Sequence, residues 1–275
     1  LYNAVEACSR FAIELGINIP TGKDSLSMTQ KYGKKKILAP GTVIISAAGE
    51  VSDVRKTVSP VVVNKKRTHL YYIDFSGSPL ALGGSALAQT LSRIGDDVPK
   101  IVSAEYFAKA FNTVQRLVDE SLLIAAHDVS AGGLITTLLE MTFANTRGGL
   151  QIDLNEFGEA DTVKLLFAEN NALVVQTDKP KAVEHILQEN GIGFKRIGTP
   201  TDERVIMVSN KGKDYLFGID YLRDLWFKSS YLLDRKQSGN KCAKLRYLNY
   251  KKQPIRYRLP KGFAGTFESL GIDPH

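Results

Sequence analysis

The segment with the clearest chemical potential is HDVSAGG, residues 127–133. An apolar run ends just before it and a helical pattern follows, so it is predicted to turn a strand into a helix. A helix start offers free N–H groups and a positive dipole end to phosphate, which Gly132 and Gly133 would let approach the backbone. Ser130 would cap the helix or bond a phosphate oxygen, and Asp128 fits beside an anion when Mg²⁺ lies between them. The alternative is a helix cap with an aspartate nearby.

A second polar cluster, TGKDSLS, occupies residues 21–27. It is similar to the end of a P-loop, but the glycine that a Walker A motif needs five residues earlier is missing. Lys23, Asp24 and Ser25 place an amine, an acid and a hydroxyl in an exposed turn, which suits a phosphorylated substrate. The alternative is an ordinary turn rich in Ser and Asp.

A third corner contains Gly83 and Gly84, just before a short apolar helical pattern. It is either a second phosphate contact or a place of close backbone packing. His69 and His185 have no partners in the sequence and are interpreted as packing or surface residues. No Ser-His-Asp order and no metal-binding Cys/His pair is present, so no nucleophile is predicted.

The elements that must position these corners alternate between strand and helix from residue 69 to residue 210, which predicts a layered α/β fold. In open α/β sheets, ligands bind beyond the carboxyl ends of the strands, and the corners are expected there. The predicted strands are 41–51, 69–77, 123–128, 149–154, 172–178, 194–202 and 204–210, with a hairpin tip at 31–37. The predicted helices are 1–16, 82–95, 105–122, 132–145, 161–170, 179–191 and 221–239. An extended linker is predicted after residue 240.

Charge, cysteine usage and hydropathy limit the classes of protein. Of 36 Lys and Arg residues, ten lie between Arg235 and Gly265, where there is no Asp or Glu, and the other 26 are outnumbered by 29 acidic residues. This basic tail is interpreted as a linker or a belt on an acidic partner, since no nucleic-acid motif accompanies it. No uncharged apolar run of membrane length is present. Cys8 and Cys242 lack metal-ligand spacing, so a reducing cytoplasm is expected.

Five motifs occur in order: IPTGKDSLSM, VIISAAGEVSDVRKTVSP, LGGSALAQ, HDVSAGGLITTLLEM and LFAEN. Together they resemble the carboxyl-terminal half of the synthetase region in the phosphoribosylformylglycinamidine synthase family, the large single-chain type. The resemblance implies a fold like that of aminoimidazole ribonucleotide synthetase. It also implies three parts: the end of an amino-terminal unit (1–62), a complete carboxyl-terminal unit (65–220) and a helix with a basic linker (221–275). Because the chain opens inside a helical pattern without methionine, a piece of a longer enzyme is expected.

The resemblance also implies an activity and a set of site residues. The family joins formylglycinamide ribonucleotide to ammonia from glutamine with ATP, and this half is expected to hold an auxiliary nucleotide with Mg²⁺. Asp128 would ligate the metal and Ser130, with the two glycines after it, would contact ATP or ADP. The nucleotide or substrate surroundings are assigned to His127, Lys23, Asp24 and Ser25.

Two further consequences of the resemblance concern the whole chain. The partners implied are the other synthetase half and a glutaminase domain, without which the chain is expected to be inactive. The alternative role is a non-catalytic scaffold that docks those domains. Ala131 stands where the family has an aspartate, so the carboxylate expected at that position is missing.

Overall fold

The computed structural model describes residues 1–23, 27–39, 42–51 and 53–249, with the single positions 261, 264, 266 and 271. It contains two compact units, residues 1–222 and residues 223–275. The predicted boundary at 62–65 lies inside the first unit and stays a prediction.

In chain order the elements are α1 (Tyr2–Glu14), β1 (Thr29–Tyr32), β2 (Lys35–Leu38), β3 (His69–Asp74), α2 (Ala86–Thr90), α3 (Ala104–Asp119), β4 (Ala125–Val129), α4 (Gly133–Phe143), β5 (Gly149–Asp153), α5 (Thr162–Phe167), β6 (Ala172–Thr177), α6 (Pro180–Glu189), β7 (Phe194–Thr201), β8 (Val205–Asn210), β9 (Lys213–Gly218), α7 (Ile219–Ser238) and α8 (Asn240–Asn249).

The first unit is built on a sheet with the strand order β4-β6-β3-β7-β5-β8-β9. Every neighbouring pair is antiparallel except β5 and β8. The predicted layered α/β class is confirmed. Strands β3 and β4 both run antiparallel to β6, so their carboxyl ends lie at the same edge of the sheet, where the HDVSAGG corner and the segment leading to the third corner begin. Strand β9 was not predicted from the sequence.

Two apolar cores cover the two faces of this sheet, as strand alternation requires. On β3, Leu70 and Tyr72 belong to the core formed with α4 and α5. The residues between and after them, Tyr71 and Ile73, belong to the core formed with α3 and α6. The alternating positions of β3 therefore face two different helix layers.

The long helices begin and end within three residues of their predicted bounds. Helix α3 begins after Ser103, whose hydroxyl accepts a hydrogen bond from the Tyr106 N–H at 3.2 Å. Helix α6 has Pro180 in its first turn, where a missing N–H is tolerated. Helix α2 is shorter than the predicted 82–95, since the glycine corner before it and the turn after it leave only residues 86–90 helical.

The amino-terminal segment is less buried than its apolar composition suggests. Helix α1 has no buried residue, and β1 and β2 form a separate exposed hairpin, which confirms the predicted hairpin tip. The predicted strand is wrong over residues 42–51, where the structure has no strand and Ile44 is 82% exposed. An apolar β-branched run becomes a strand only where a partner strand satisfies its backbone.

The second unit contains the rest of α7 and helix α8. The extended conformation predicted after residue 240 is wrong for residues 240–249, which are helical. The sequence of α8 has no amphipathic period, and contacts with α7 stabilise the helix instead. Arg246 bonds Asp234 at 2.6 Å, and the rings of Tyr247 and Tyr231 stack with centroids 4.7 Å apart. In the described residues, no helix combines the length and apolar composition that crossing a membrane requires.

Candidate functional site

The HDVSAGG segment connects β4 to α4, as predicted. Gly132 and Gly133 have φ values of +91° and +71°, which L side chains rarely adopt. A Cβ on Gly133 would lie 2.7 Å from the carbonyl oxygen of Leu166. The glycines are therefore required by the backbone turn and by the close passage of the segment before Glu169.

Glu169 joins two of the glycine corners through one carboxylate oxygen. Its Oε1 accepts hydrogen bonds from the Gly132 N–H at 2.8 Å and from the Ala86 N–H at 2.7 Å. The motifs LGGSALAQ, HDVSAGG and LFAEN thus meet at one atom. A carboxylate reaches this corner although Ala131 cannot supply one.

These contacts correct one part of the sequence interpretation. The N–H of Gly132 is bonded to Glu169, and the N–H of Gly133 donates to the Ser130 carbonyl at 2.9 Å. Two of the donors that were expected to be free for phosphate are therefore occupied by protein oxygens. The N-cap position of α4 is held by Gly132, so Ser130 is not its capping residue.

Asn170, next to Glu169, fixes the loop that leads to the third corner. Its side chain is fully buried, its Oδ1 accepts from the Ala81 N–H at 3.0 Å, and its Nδ2 donates to Ser78 Oγ at 3.1 Å. At the corner itself, the Gly83 N–H donates to the Asp97 carbonyl at 2.7 Å, where a side chain would collide. Of the two interpretations of this corner, the structure shows close backbone packing.

His127 and Asp128 lie on the edge strand β4. His127 Nδ1 is 3.3 Å from Asp128 Oδ1, and its Nε2 is 3.5 Å from Glu140 Oε2 on α4. The Asp128 carbonyl accepts from Thr137 Oγ1 at 3.0 Å, while its side chain is 69% exposed. The corner therefore presents one accessible carboxylate beside a largely buried imidazole.

The other predicted site residues are not joined to this corner by described contacts. Ser130 is exposed and close in sequence. Lys23 is also exposed, and no hydrogen bond or ion pair within the described residues connects it with the corner. Asp24 and Ser25 lie outside the described residues.

The residues present restrict how Mg²⁺ and a nucleotide would fit. In the described part of the chain, no three His, Cys, Asp or Glu side chains converge as metal ligands. Asp128 alone fits an ion that takes one carboxylate and completes its shell with phosphate oxygens and water, and it does not fit an all-protein cage. A phosphate would meet the exposed Ser130 hydroxyl, or would have to displace the Glu169 carboxylate from Gly132.

Sequence reasoning quoted LFAEN as a motif but assigned no role to Glu169 or Asn170. Both bond backbone groups that are 37 to 91 residues away in the sequence. The signal available in the sequence was an acid and an amide directly after the apolar helix α5, where solvent-facing residues are not required.

Comparison with known proteins gives two matching family models. One, described as AIR synthase related protein, C-terminal domain, matches residues 74–209. The other, described as FGAR-AT PurM_N-like domain, matches residues 1–50. The fold and these models define the class, that of AIR synthase related proteins.

Two curated relatives are similar over most of the chain. The chain is 36% identical over 262 residues to a probable phosphoribosylformylglycinamidine synthase, chloroplastic/mitochondrial, of Arabidopsis thaliana, covering 94% of the chain and 18% of the relative. It is 35% identical over 250 residues to phosphoribosylformylglycinamidine synthase of Homo sapiens, covering 88% of the chain and 18% of the relative. The chain belongs to the phosphoribosylformylglycinamidine synthase family and spans about a fifth of the length of these relatives.

Among solved structures, the chain is similar to T. maritima PurL complexed with ATP, with a TM-score of 0.49 and 14% identity. That similarity covers 62% of this chain and 28% of the other.

Proposed function

We propose that the chain is a segment of a longer ATP-dependent carbon–nitrogen ligase. The enzyme would convert formylglycinamide ribonucleotide, ATP and glutamine to formylglycinamidine ribonucleotide, ADP, phosphate and glutamate. The observation that carries this proposal is the 35–36% identity to relatives of that name over 88–94% of the chain. The meeting of three of the five motifs at Glu169 supports it, because the motifs then belong to one structural unit.

Within that enzyme, the segment would hold an auxiliary Mg²⁺–nucleotide at the HDVSAGG corner. Asp128 would ligate the metal, and Ser130, Gly132 and Gly133 would lie against the phosphates. Bound Mg²⁺ would supply charge neutralisation of those phosphates. The exposed carboxylate of Asp128 supports its part in this assignment.

The remaining assignments concern substrate surroundings and partners. Lys23, Asp24, Ser25 and His127 are proposed to lie near nucleotide or substrate. The division at 1–62, 65–220 and 221–275 is kept, with the basic linker leading towards a glutaminase domain. The other synthetase half would complete the catalytic site, and a cytoplasmic location is proposed for the enzyme.

Two measurements test this function. A polypeptide that includes this segment and the regions the relatives have around it should form ADP when given formylglycinamide ribonucleotide, ATP and glutamine. The 275-residue chain alone should not. Absence of turnover by the longer polypeptide would overturn the proposal.

The nucleotide site is tested by calorimetric titration of the chain with Mg·ADP. Binding is expected to disappear in Asp128→Asn and to persist in Asp202→Asn, which alters an exposed aspartate whose side chain is 78% accessible. Equal binding by both variants would contradict the assignment of Asp128.

One observation favours a second role, that of a scaffold without bound nucleotide. Because Glu169 already satisfies Gly132 and Ala86, the corner is held together by the protein's own groups. If the chain binds no Mg·ADP, and Asp128→Asn in the longer enzyme leaves turnover unchanged, the scaffold role is the better description.

A further inference from the structure

A cavity of about 340 Å³ lies over the sheet and is separate from the HDVSAGG corner. Its lining includes Tyr72 on β3, Lys195 on β7 and Lys164 on α5, with Phe157 and Leu80 as apolar walls. Its volume lies at the small end of the range for ligand pockets, which suits a single-ring molecule. None of the residues 127–133 lines it.

Tyr72 provides a hydroxyl donor to this cavity. The residue is only 6% exposed, and its hydroxyl makes no hydrogen bond with any described residue. Burial raises the pKa of Tyr72, with the charge of Asp74 as a second cause, so the hydroxyl keeps its proton at neutral pH. Because no described protein group engages this hydroxyl, it can donate to a ligand or to water in the cavity.

Lys195 provides a positive charge in the same cavity. It lies opposite Tyr72 in the β3–β7 register, so the two side chains stand on the same face of the sheet. Lys195 is half-buried and forms no ion pair within the described residues. Lys164 is nearby on the lining and pairs only loosely, at 3.9 Å, with Glu159.

The two carboxylates of the lining, Asp74 and Glu159, already accept hydrogen bonds from backbone N–H groups two or three residues further along the chain. Asp74 accepts from the N–H groups of Ser76 at 2.8 Å and Gly77 at 3.1 Å. Glu159 accepts from the Asp161 N–H at 2.9 Å. The lining groups without a partner among the described residues are therefore the Tyr72 hydroxyl and the Lys195 ammonium, both donors, and the positive charge of Lys195 favours an anionic acceptor.

The apolar part of the lining defines the rest of the ligand. The Phe157 ring packs edge-on against Tyr72, with centroids 5.2 Å apart, and Pro79 and Leu80 extend this surface. We propose that the cavity binds a small organic anion, a carboxylate or phosphate monoester on a single apolar ring, through Lys195 and Tyr72. This inference does not depend on the ligase activity proposed above.

The test is a titration of the full chain followed by amide NMR shifts of Gly193 and Lys195. Phenyl phosphate and benzoate are the two probes, and benzyl alcohol is the uncharged control. We expect saturable shifts with at least one anion and none with benzyl alcohol, and the stronger binder identifies phosphate or carboxylate. The absence of saturable shifts with both anions would overturn the proposal.

Variants separate binding from folding. Lys195→Gln and Tyr72→Phe should each lower the affinity for the more tightly bound probe by about tenfold, because each removes a donor to a charged acceptor. Lys213→Gln, an exposed lysine on β9, should leave affinity unchanged. Tyr72→Phe should not lower the urea midpoint of the free chain, since it removes a hydroxyl that has no protein partner. Unchanged affinity in a stably folded Tyr72→Phe would refute the site.

Discussion

At the scale of single residues, Glu169 determines how the glycine corners are held. Its one oxygen accepts two backbone N–H groups from segments distant in the sequence. A glutamine keeps an acceptor at the same position, whereas alanine leaves two donors without a partner. The chemistry of the acceptor, more than its charge, should therefore control stability.

We expect Glu169→Ala to lower the free energy of unfolding by about 1–3 kcal/mol, the usual penalty for partly buried donors that lose their acceptor. Glu169→Gln should lower the free energy of unfolding by clearly less. Urea denaturation of the two variants measures the difference. Equal losses would mean that the bonds to Gly132 and Ala86 do not stabilise the corner.

Gly133 gives a second residue-scale prediction, because it combines a left-handed backbone with a crowded site. Gly133→Ala should destabilise the chain by about 2–4 kcal/mol, from the αL penalty and the collision with the Leu166 carbonyl. Gly158→Ala is the matched control, since Gly158 has φ +72° and open space around it, and should cost about 1 kcal/mol. Similar unfolding midpoints for both variants would show that crowding at Gly133 is relieved without cost.

At the scale of elements, the pairing of α7 with α8 depends on an exposed ion pair. Hydrogen bonding to Arg246 lowers the pKa of Asp234 below its ordinary value of 3.8, with Ser238 as the second cause. A depressed pKa means that the contribution is present above pH 3.8 and is lost as the pH falls through the folded-state pKa. The helical signals of residues 240–249 should therefore weaken in acid.

NMR chemical shifts of α8 between pH 6 and pH 2.5 would follow this loss. Asp234→Asn should reduce the α8 helix at neutral pH and remove its acid dependence, while high salt should weaken the wild-type pairing. A wild-type helix that is insensitive to both pH and salt would indicate that the Tyr231–Tyr247 stack is sufficient.

The elements also show which parts of the fold were predictable. Helices α3, α4 and α6 carry a helical apolar period and strand β3 is a short apolar run buried on both faces, so local sequence defined them. The strand predicted over 41–51 lacks pairing where it is described, and α8 forms through contacts with α7, both of which are non-local. Glu169 was missed for the same reason, since its partners are backbone amides that no side-chain pattern reveals.

At the scale of the whole molecule, the amino-terminal segment exposes an unusual amount of apolar surface. Ile13, Tyr32, Ile44 and Ile45 are between 60% and 82% exposed. Apolar exposure of this kind drives association of protein surfaces. The 275-residue chain should therefore self-associate as its concentration rises.

Sedimentation velocity over a concentration series would measure this association. Ile44→Asp with Ile45→Asp should shift the chain towards monomer. Leu216→Asp, at a 67% exposed position on β9, is the control and should have little effect. A monomer at all concentrations would show that the segment is shielded in solution.

The shared oxygen of Glu169 has one further consequence, for the cooperativity of local opening. Because the starts of α2 and α4 are tied to the same atom, movement of this carboxylate releases both at once. The Ala86 and Gly132 amides should then exchange with solvent deuterium at matched free energies, although they are 46 positions apart in the sequence. Two helices that belong to different segments of the chain would thus open as one unit.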